Sequence, residues 1–247
     1  MKLTCLGTGS SGNCYLLQAD DGETLILDCG IPIKEIKKGL DWNIRNVVGC
    51  VVTHRHIDHS KSVYDLRKIG IKVATPYLSN DVYSLVSLYF DNTRFRVIAF
   101  ELTTKNGKWT HTNADGSECP CYGYVISHPE MGKLLYVTDT EFVKCRFDDL
   151  NHILLGVNYD KNMVDMSNTA KASHVLRGHL SIDTACDFVK ANDSDSLQNV
   201  IMCHLSSENA DKDSFIEKMK NAVNGANVDV AEKGNGWILQ NPNSCPF

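Results

Sequence analysis

Thr53-His54-Arg55-His56-Ile57-Asp58-His59 places four metal-capable side chains within six residues, directly after the apolar run Gly49–Thr53 (GCVVT). Imidazole and carboxylate are the donors that zinc, manganese and iron accept. A buried strand running into a turn lets alternating residues face one point. His54 and His56 can then share one ion, while Asp58 and His59 reach a neighbouring one. A solvated loop with an accidental histidine pair is the plainer reading, and four ligands at this spacing argue against it.

Three more strand-like runs end in residues of the same chemistry. Leu25-Ile26-Leu27 is followed by Asp28 and then Cys29-Gly30. A carboxylate there needs partners, because an unpaired buried charge is costly, and it is placed to orient a ligand histidine. Leu134–Thr138 ends at Asp139, a candidate to bridge two ions and offset their repulsion. Val200–Cys203 ends at His204, and His179 sits in the glycine turn Gly178-His179-Leu180-Ser181 ahead of a helical segment. Singly these are ordinary structural residues. Together with the histidine cluster they outline a site.

Around these points the chain reads as strand, helix, strand. Strands are expected at Leu3–Thr8, Cys14–Ala19, Thr24–Cys29, Gly49–Thr53, Lys72–Thr75 and Arg96–Leu102, the second and third forming a hairpin around Asp20-Asp21-Gly22. More follow at Tyr122–Ser127, Leu134–Thr138, His152–Val157, Val200–Cys203, Val228–Ala231 and Trp237–Gln240. Helical spacing covers Ile33–Leu40, Ser60–Ile69, Leu78–Phe90, Ser181–Ala191 and Asp211–Val223. Asn162–Arg177 is mixed with some helical character, and Lys105–Pro120 reads as loop. Nothing linker-like divides residues 1–247, so one α/β (α+β) domain is expected, with two sheets face to face and helices outside.

The chain has 247 residues, 43% of them hydrophobic and 22% charged, which excludes disordered, collagen-like and coiled-coil classes. No apolar run is long enough to span a bilayer, and the first residues lack a secretory h-region. A net charge of −5 argues against a protein that coats DNA through a basic surface. The ten cysteines fall mostly in apolar runs, where cysteine acts as a small hydrophobe; reduced thiols in a cytoplasmic protein are the expectation.

His-x-His-x-Asp-His after a strand resembles the metallo-β-lactamase fold superfamily. Leu6–Asn13 (LGTGSSGN), Leu27-Asp28-Cys29-Gly30, Tyr122-Gly123-Tyr124, Val137–Thr140 (VTDT), Gly178–Ser181 (GHLS) and Cys203–Ser206 (CHLS) resemble its YycJ/WalJ-like branch, in that family's order and over nearly the whole chain. The resemblance implies a four-layer αββα sandwich with a dinuclear site at one edge, holding two divalent ions (zinc or manganese, with iron also compatible). It implies that His54, His56 and a third histidine hold the first ion. Asp58, His59 and His204 would hold the second, Asp139 would bridge, Asp28 would support a ligand histidine, and His179 would donate a proton. The third histidine precedes a Pro-x-x-Gly-Tyr segment, here Pro120–Tyr124, which favours His111 over its competitor His128. The chain departs from the pattern at Gly156, where the family has a glutamate to pair with His179, and at Tyr159 and Ile182; Asp160 is a possible substitute for that glutamate.

The resemblance further implies a metal-dependent hydrolase, first of all a phosphodiesterase or nuclease acting on DNA more than RNA. In that mechanism Asp58 orients water and His179 assists the leaving group. Arg55, Lys61, Lys161 and Arg177 are candidate phosphate contacts because each lies near a motif. The alternative is a small-molecule hydrolase of thioesters, lactones or cyclic phosphodiesters on the same metal site. A non-catalytic binding module would tolerate loss of ligands, and the near-complete set argues against it. Oligomeric state is open, and no membrane partner is expected.

Overall fold

The computed structural model describes residues 1–77, 90, 93–104, 106–112, 117–167, 175–176 and 178–242. Two six-stranded sheets dominate. The first contains β1 (Lys2–Gly7), β2 (Cys14–Gln18), β3 (Thr24–Leu27), β4 (Val47–Val51) and β5 (Val73–Ala74). The second contains β6 (Arg96–Glu101), β9 (Tyr122–His128), β10 (Gly132–Val137), β11 (His152–Gly156), β12 (Asn199–Cys203) and β13 (Asn227–Val230). β14 (Gly236–Ile238) returns to pair with β1 and completes the first sheet in the order β14-β1-β2-β3-β4-β5. The second runs β13-β12-β11-β10-β9-β6. β7 (His111–Thr112) and β8 (Glu118–Cys119) form a separate small hairpin.

Side chains alternate across each strand, so one strand feeds two layers. On β3, Leu25 and Leu27 join the core between the sheets, with Leu3, Tyr15, Tyr124, Leu134 and Ile201. Ile26 points the other way and packs with Ile36 and Leu66 of the helices α1 (Ile33–Gly39) and α3 (Val63–Lys68). On the second sheet Leu135, Val137, Ile153 and Leu155 meet α4 (Ile182–Asn192) and α5 (Lys212–Lys220) through Ala185, Phe188, Phe215 and Met219. This is the four-layer αββα sandwich expected from the sequence. Ser181 and Asp211 cap α4 and α5 by accepting the backbone N–H groups of Thr184 and Ser214 at 3.2 and 2.7 Å.

Pairing is parallel from β3 to β5 and from β10 to β13. The C-terminal ends of β3, β4, β10, β11 and β12 therefore open on one edge of the sandwich, where α/β folds place their ligands. Each strand delivers its next residues there: Asp28, Thr53-His54, Asp139, Asn158 and His204.

Two expectations are corrected. Ser60–Ile69 is not one helix. A short α2 (Ile57–Ser60) precedes α3, and the chain breaks at Lys61-Ser62 because Ser62 is drawn into long-range bonds, its N–H to Cys29 O at 2.9 Å and its hydroxyl to Ile31 O at 2.6 Å. Lys105–Pro120 is not all loop, since it contains the β7–β8 hairpin that carries His111. Within the mixed stretch, Lys161–Met163 forms a single 3₁₀ turn capped by Asp160. The helix expected over Leu78–Phe90 lies, but for Phe90, outside the described residues. Among the described residues no helix is long and apolar enough to cross a membrane, and nine cysteines are free thiols.

At the opposite end of the second sheet, His152 is fully buried, with Nε2 against the carbonyls of Met131 and Gln240 at 3.0 and 3.1 Å and Nδ1 against the Asn199 amide at 3.0 Å. Burial pushes its pKa down to about 4, with the two carbonyls opposing that shift only in part. The unfolded chain, with an ordinary histidine near ~6.5, then binds the extra proton first. The stability this confers is complete above about pH 6.5 and is lost as pH falls towards 4, by about 3 kcal/mol. In urea unfolding with chelator present, a His152→Gln variant should lose that much less stability than the wild type between pH 7 and pH 4. Equal losses would contradict this account.

Candidate metal centre

The Thr53–His59 turn is held from below by two side chains. Asp28 Oδ1 accepts the Thr53 N–H at 2.7 Å, and Asp28 Oδ2 accepts from His59 Nδ1 at 2.7 Å and from the Tyr136 hydroxyl at 2.5 Å. Asn13 of the GSSGN loop is 1% exposed and donates both its backbone N–H (2.7 Å) and its side-chain amide (3.3 Å) to Asp58 O. The same amide lies 3.0 Å from His59 Nε2. Gly30 makes the close approach possible, because a Cβ there would stand 1.7 Å from Asp58 O and 2.7 Å from His59 N.

Two groups of side chains result. His54, His56 and His111 bring ring nitrogens within 4.8 Å of one another, as do Asp58, His59, Asp139 and His204 with their nitrogens and carboxylate oxygens. His111 reaches the first group from the β7–β8 hairpin, its Nε2 3.0 Å from His56 Nδ1. His128 lies at the far end of β9, its ring tilted against Phe95 with centroids 4.7 Å apart and its Nε2 3.5 Å from Glu23. Asp139 stands between the groups, with Oδ2 2.8 Å from His59 Nε2, 3.6 Å from His54 Nε2 and 3.6 Å from His204 Nε2. Asp58 Oδ2 is 3.4 and 3.5 Å from the Nε2 atoms of His59 and His204.

The donor set fits cations. Among the described residues His54 Nε2 is buried with no hydrogen-bond partner, while Thr53 Oγ1 occupies its Nδ1 side at 3.1 Å. An orphaned buried nitrogen is costly unless a metal takes its lone pair. Burial lowers His54 well below the ordinary histidine range, and pushes His111 down to about 4, so both present neutral imidazoles at pH 7. The second group has the opposite character. Burial would raise Asp139, but His204 and His59 outweigh it and hold the carboxyl well below its usual range. Asp58 is lowered likewise, with burial overcome by hydrogen bonds from His204 and His59. Burial would lower His59, yet Asp28 and Asp139 raise it well above normal, so this half of the site calls for positive charge.

His179 lies across both groups. Its Nδ1 is 3.2 Å from Asp139 Oδ1, and its ring centre is 5.6 Å from that of His111 and 5.8 Å from that of His204. Asp160 does not support it: Asp160 accepts from Lys218 Nζ at 2.6 Å and from Asn162 N–H at 2.9 Å. Nor can a side chain be restored at Gly156 without moving Thr138, whose Cα would lie 2.9 Å from the new Cβ. Asp139 is the carboxylate that pairs with His179 here. Arg55, Lys61 and Lys161 are exposed, and Arg177 lies outside the described residues. Asn13, Thr53, Tyr136 and Asn158, whose amide donates to His204 O at 3.0 Å, were not singled out from the sequence. Asn13 and Thr53 lie within the GSSGN and Thr53–His59 motifs, but nothing local marks Tyr136 or Asn158.

Residues 7–165 match the Metallo-beta-lactamase superfamily, and the chain belongs to it. Members of this superfamily are metal-dependent hydrolases. Among known proteins the chain is similar to Exodeoxyribonuclease YycJ of Bacillus anthracis, 25% identical over 225 residues, covering 85% of this chain and 84% of that protein. The metallo-beta-lactamase fold protein YhfI from Bacillus subtilis superposes with a TM-score of 0.70 at 15% identity, over 96% of this chain and 98% of that one. The short form of human tRNase Z (ELAC1) gives 0.60 at 16%, over 97% and 99%.

Gly30→Ala should destabilise the chain by about 3 kcal/mol, because backbone rather than a flexible side chain must yield. That corresponds to a melting temperature lower by roughly 6–12 °C, with reduced metal uptake. A normal melting temperature would show that the turn does not need this approach.

Proposed function

We propose that the chain is a metal-dependent phosphodiesterase, a nuclease acting on DNA, with two divalent ions (zinc or manganese) at the edge of the sandwich. His54, His56 and His111 would hold one; Asp58, His59 and His204 would hold the other, with Asp139 shared. Bound there, the ions would make water a nucleophile near neutral pH and stabilise charge on a phosphoryl oxygen.

The remaining work falls to the chain's own side chains. Asp58 is 22% exposed where its neighbours His59, Asp139 and His204 are 0–6%, so it faces the solvent side and orients the attacking water. His179, 12% exposed and anchored on Asp139, gives its proton to the leaving oxygen. Its position astride both groups is the observation that carries the phosphodiesterase reading, since an alkoxide leaving group needs an acid there. The likeness to an exodeoxyribonuclease along most of both chains supports DNA as the substrate. Exposed Arg55, Lys61 and Lys161 offer local phosphate contacts on a chain of net charge −5.

The test is hydrolysis of labelled single- and double-stranded DNA and RNA with Mn²⁺ or Zn²⁺. A chelator control and an Asp58→Ala, His59→Ala double variant accompany it. DNA cleavage should require metal and vanish in the double variant. His179→Ala should lower kcat by roughly 10²–10⁴ while both ions remain bound. A chain that carries two ions yet cleaves no polynucleotide would overturn the nuclease reading in favour of a thioester, lactone or cyclic-phosphodiester hydrolase.

A further inference from the structure

Among the described residues Tyr15, Tyr124 and Tyr136 are the three largest fully buried side chains, and all lie in the core between the sheets. Phenylalanine would fill the same space without burying a hydroxyl. Each hydroxyl nevertheless has a destination, and all three destinations are turns of the metal centre. Tyr136 on β10 reaches across to the other sheet and donates to Asp28 Oδ2 at 2.5 Å, the oxygen that also accepts from His59 Nδ1. Tyr15 on β2 donates to Thr8 Oγ1 at 2.9 Å, and that oxygen accepts the backbone N–H of His204 at 3.0 Å. Tyr124 on β9 donates to the carbonyl of Val52 at 2.6 Å, two residues before His54.

We propose that these hydroxyls are positioning groups for the metal ligands, and that Tyr136 is the principal one. It fixes the rotation of the Asp28 carboxylate, which in turn fixes the ring of His59. Tyr15 acts on the same half of the site through Thr8 and His204. Tyr124 acts on the other half, through the backbone that presents His54. The inner core thus ties ligands on one sheet to strands of the other. This inference rests on the two-ion reading of the site, but not on the identity of the substrate.

The experiment is titration of Zn²⁺ by calorimetry and of Co²⁺ by its visible absorption, with thermal unfolding of every variant. The Asp58→Ala, His59→Ala chain identifies which ion belongs to which half. Tyr136→Phe should weaken that half's ion by roughly 10–100-fold and leave the other unchanged. Tyr124→Phe should show the reverse pattern. In an Asp28→Asn background, Tyr136→Phe should add little further loss, because it acts through Asp28. Unchanged affinities in Tyr136→Phe would overturn the proposal. So would equal weakening of both ions in step with a lower melting temperature, the mark of a merely structural role. Should Tyr136→Phe fail to fold, Tyr15→Phe reads the same half of the site, with the same expected and contrary results. A wild-type chain that binds no second ion would overturn the two-ion reading and this inference together.

Discussion

Asp28 carries a carboxylate with no solvent contact, between two sheets, and it is stable there because donors reach it from three directions: the Thr53 backbone and hydroxyl, the His59 ring and the Tyr136 hydroxyl. Removing any of them would leave part of a buried charge unpaired. The carboxylate therefore joins the Thr53–His59 turn, the end of β3 and strand β10 of the opposite sheet. The position of His59 follows from Asp28, and the second half of the candidate metal centre follows from His59.

Among the described residues six non-glycine positions have left-handed φ angles, and three of them lie at the same edge. Asp28, Asp139 and His204 all have left-handed φ angles, 54°, 48° and 56°, although none is glycine. Aspartate and histidine tolerate this region better than β-branched residues do, but it still costs free energy. Each residue follows the end of a parallel strand, and the reversal of φ turns its side chain out of the strand direction into the cleft between the sheets. The apolar core over which the sheets meet supplies the stability that this strain and the buried charges consume.

Much of the site was legible because it is local. The spacing from His54 to His59 and the acidic or histidine residue at the end of an apolar strand are patterns of a few residues. The four-layer fold was legible from strand alternation and the order of elements. What could not be read depends on which segments meet in space. The order of segments already favoured His111 over His128, but not the way the β7–β8 hairpin brings His111 against His56. Tyr136 looks like any inward-facing core residue until its hydroxyl is seen to reach Asp28. The resemblance raised the question of what pairs with His179 where glutamate gives way to Gly156. The answer is Asp139, while Asp160 is committed to Lys218 of α5. The break in the helical stretch at Ser62 escaped for the same reason, since its cause is a carbonyl thirty-one residues earlier.

The central claim is that one edge of this sandwich is a two-ion centre with Asp139 between the ions. Anomalous diffraction from crystals grown with zinc or manganese tests it most directly. Two peaks roughly 3.5–4 Å apart are predicted, one against His54, His56 and His111, the other against Asp58, His59 and His204, with Asp139 touching both. A single peak that leaves either group without an ion, or peaks away from these residues, would contradict the account.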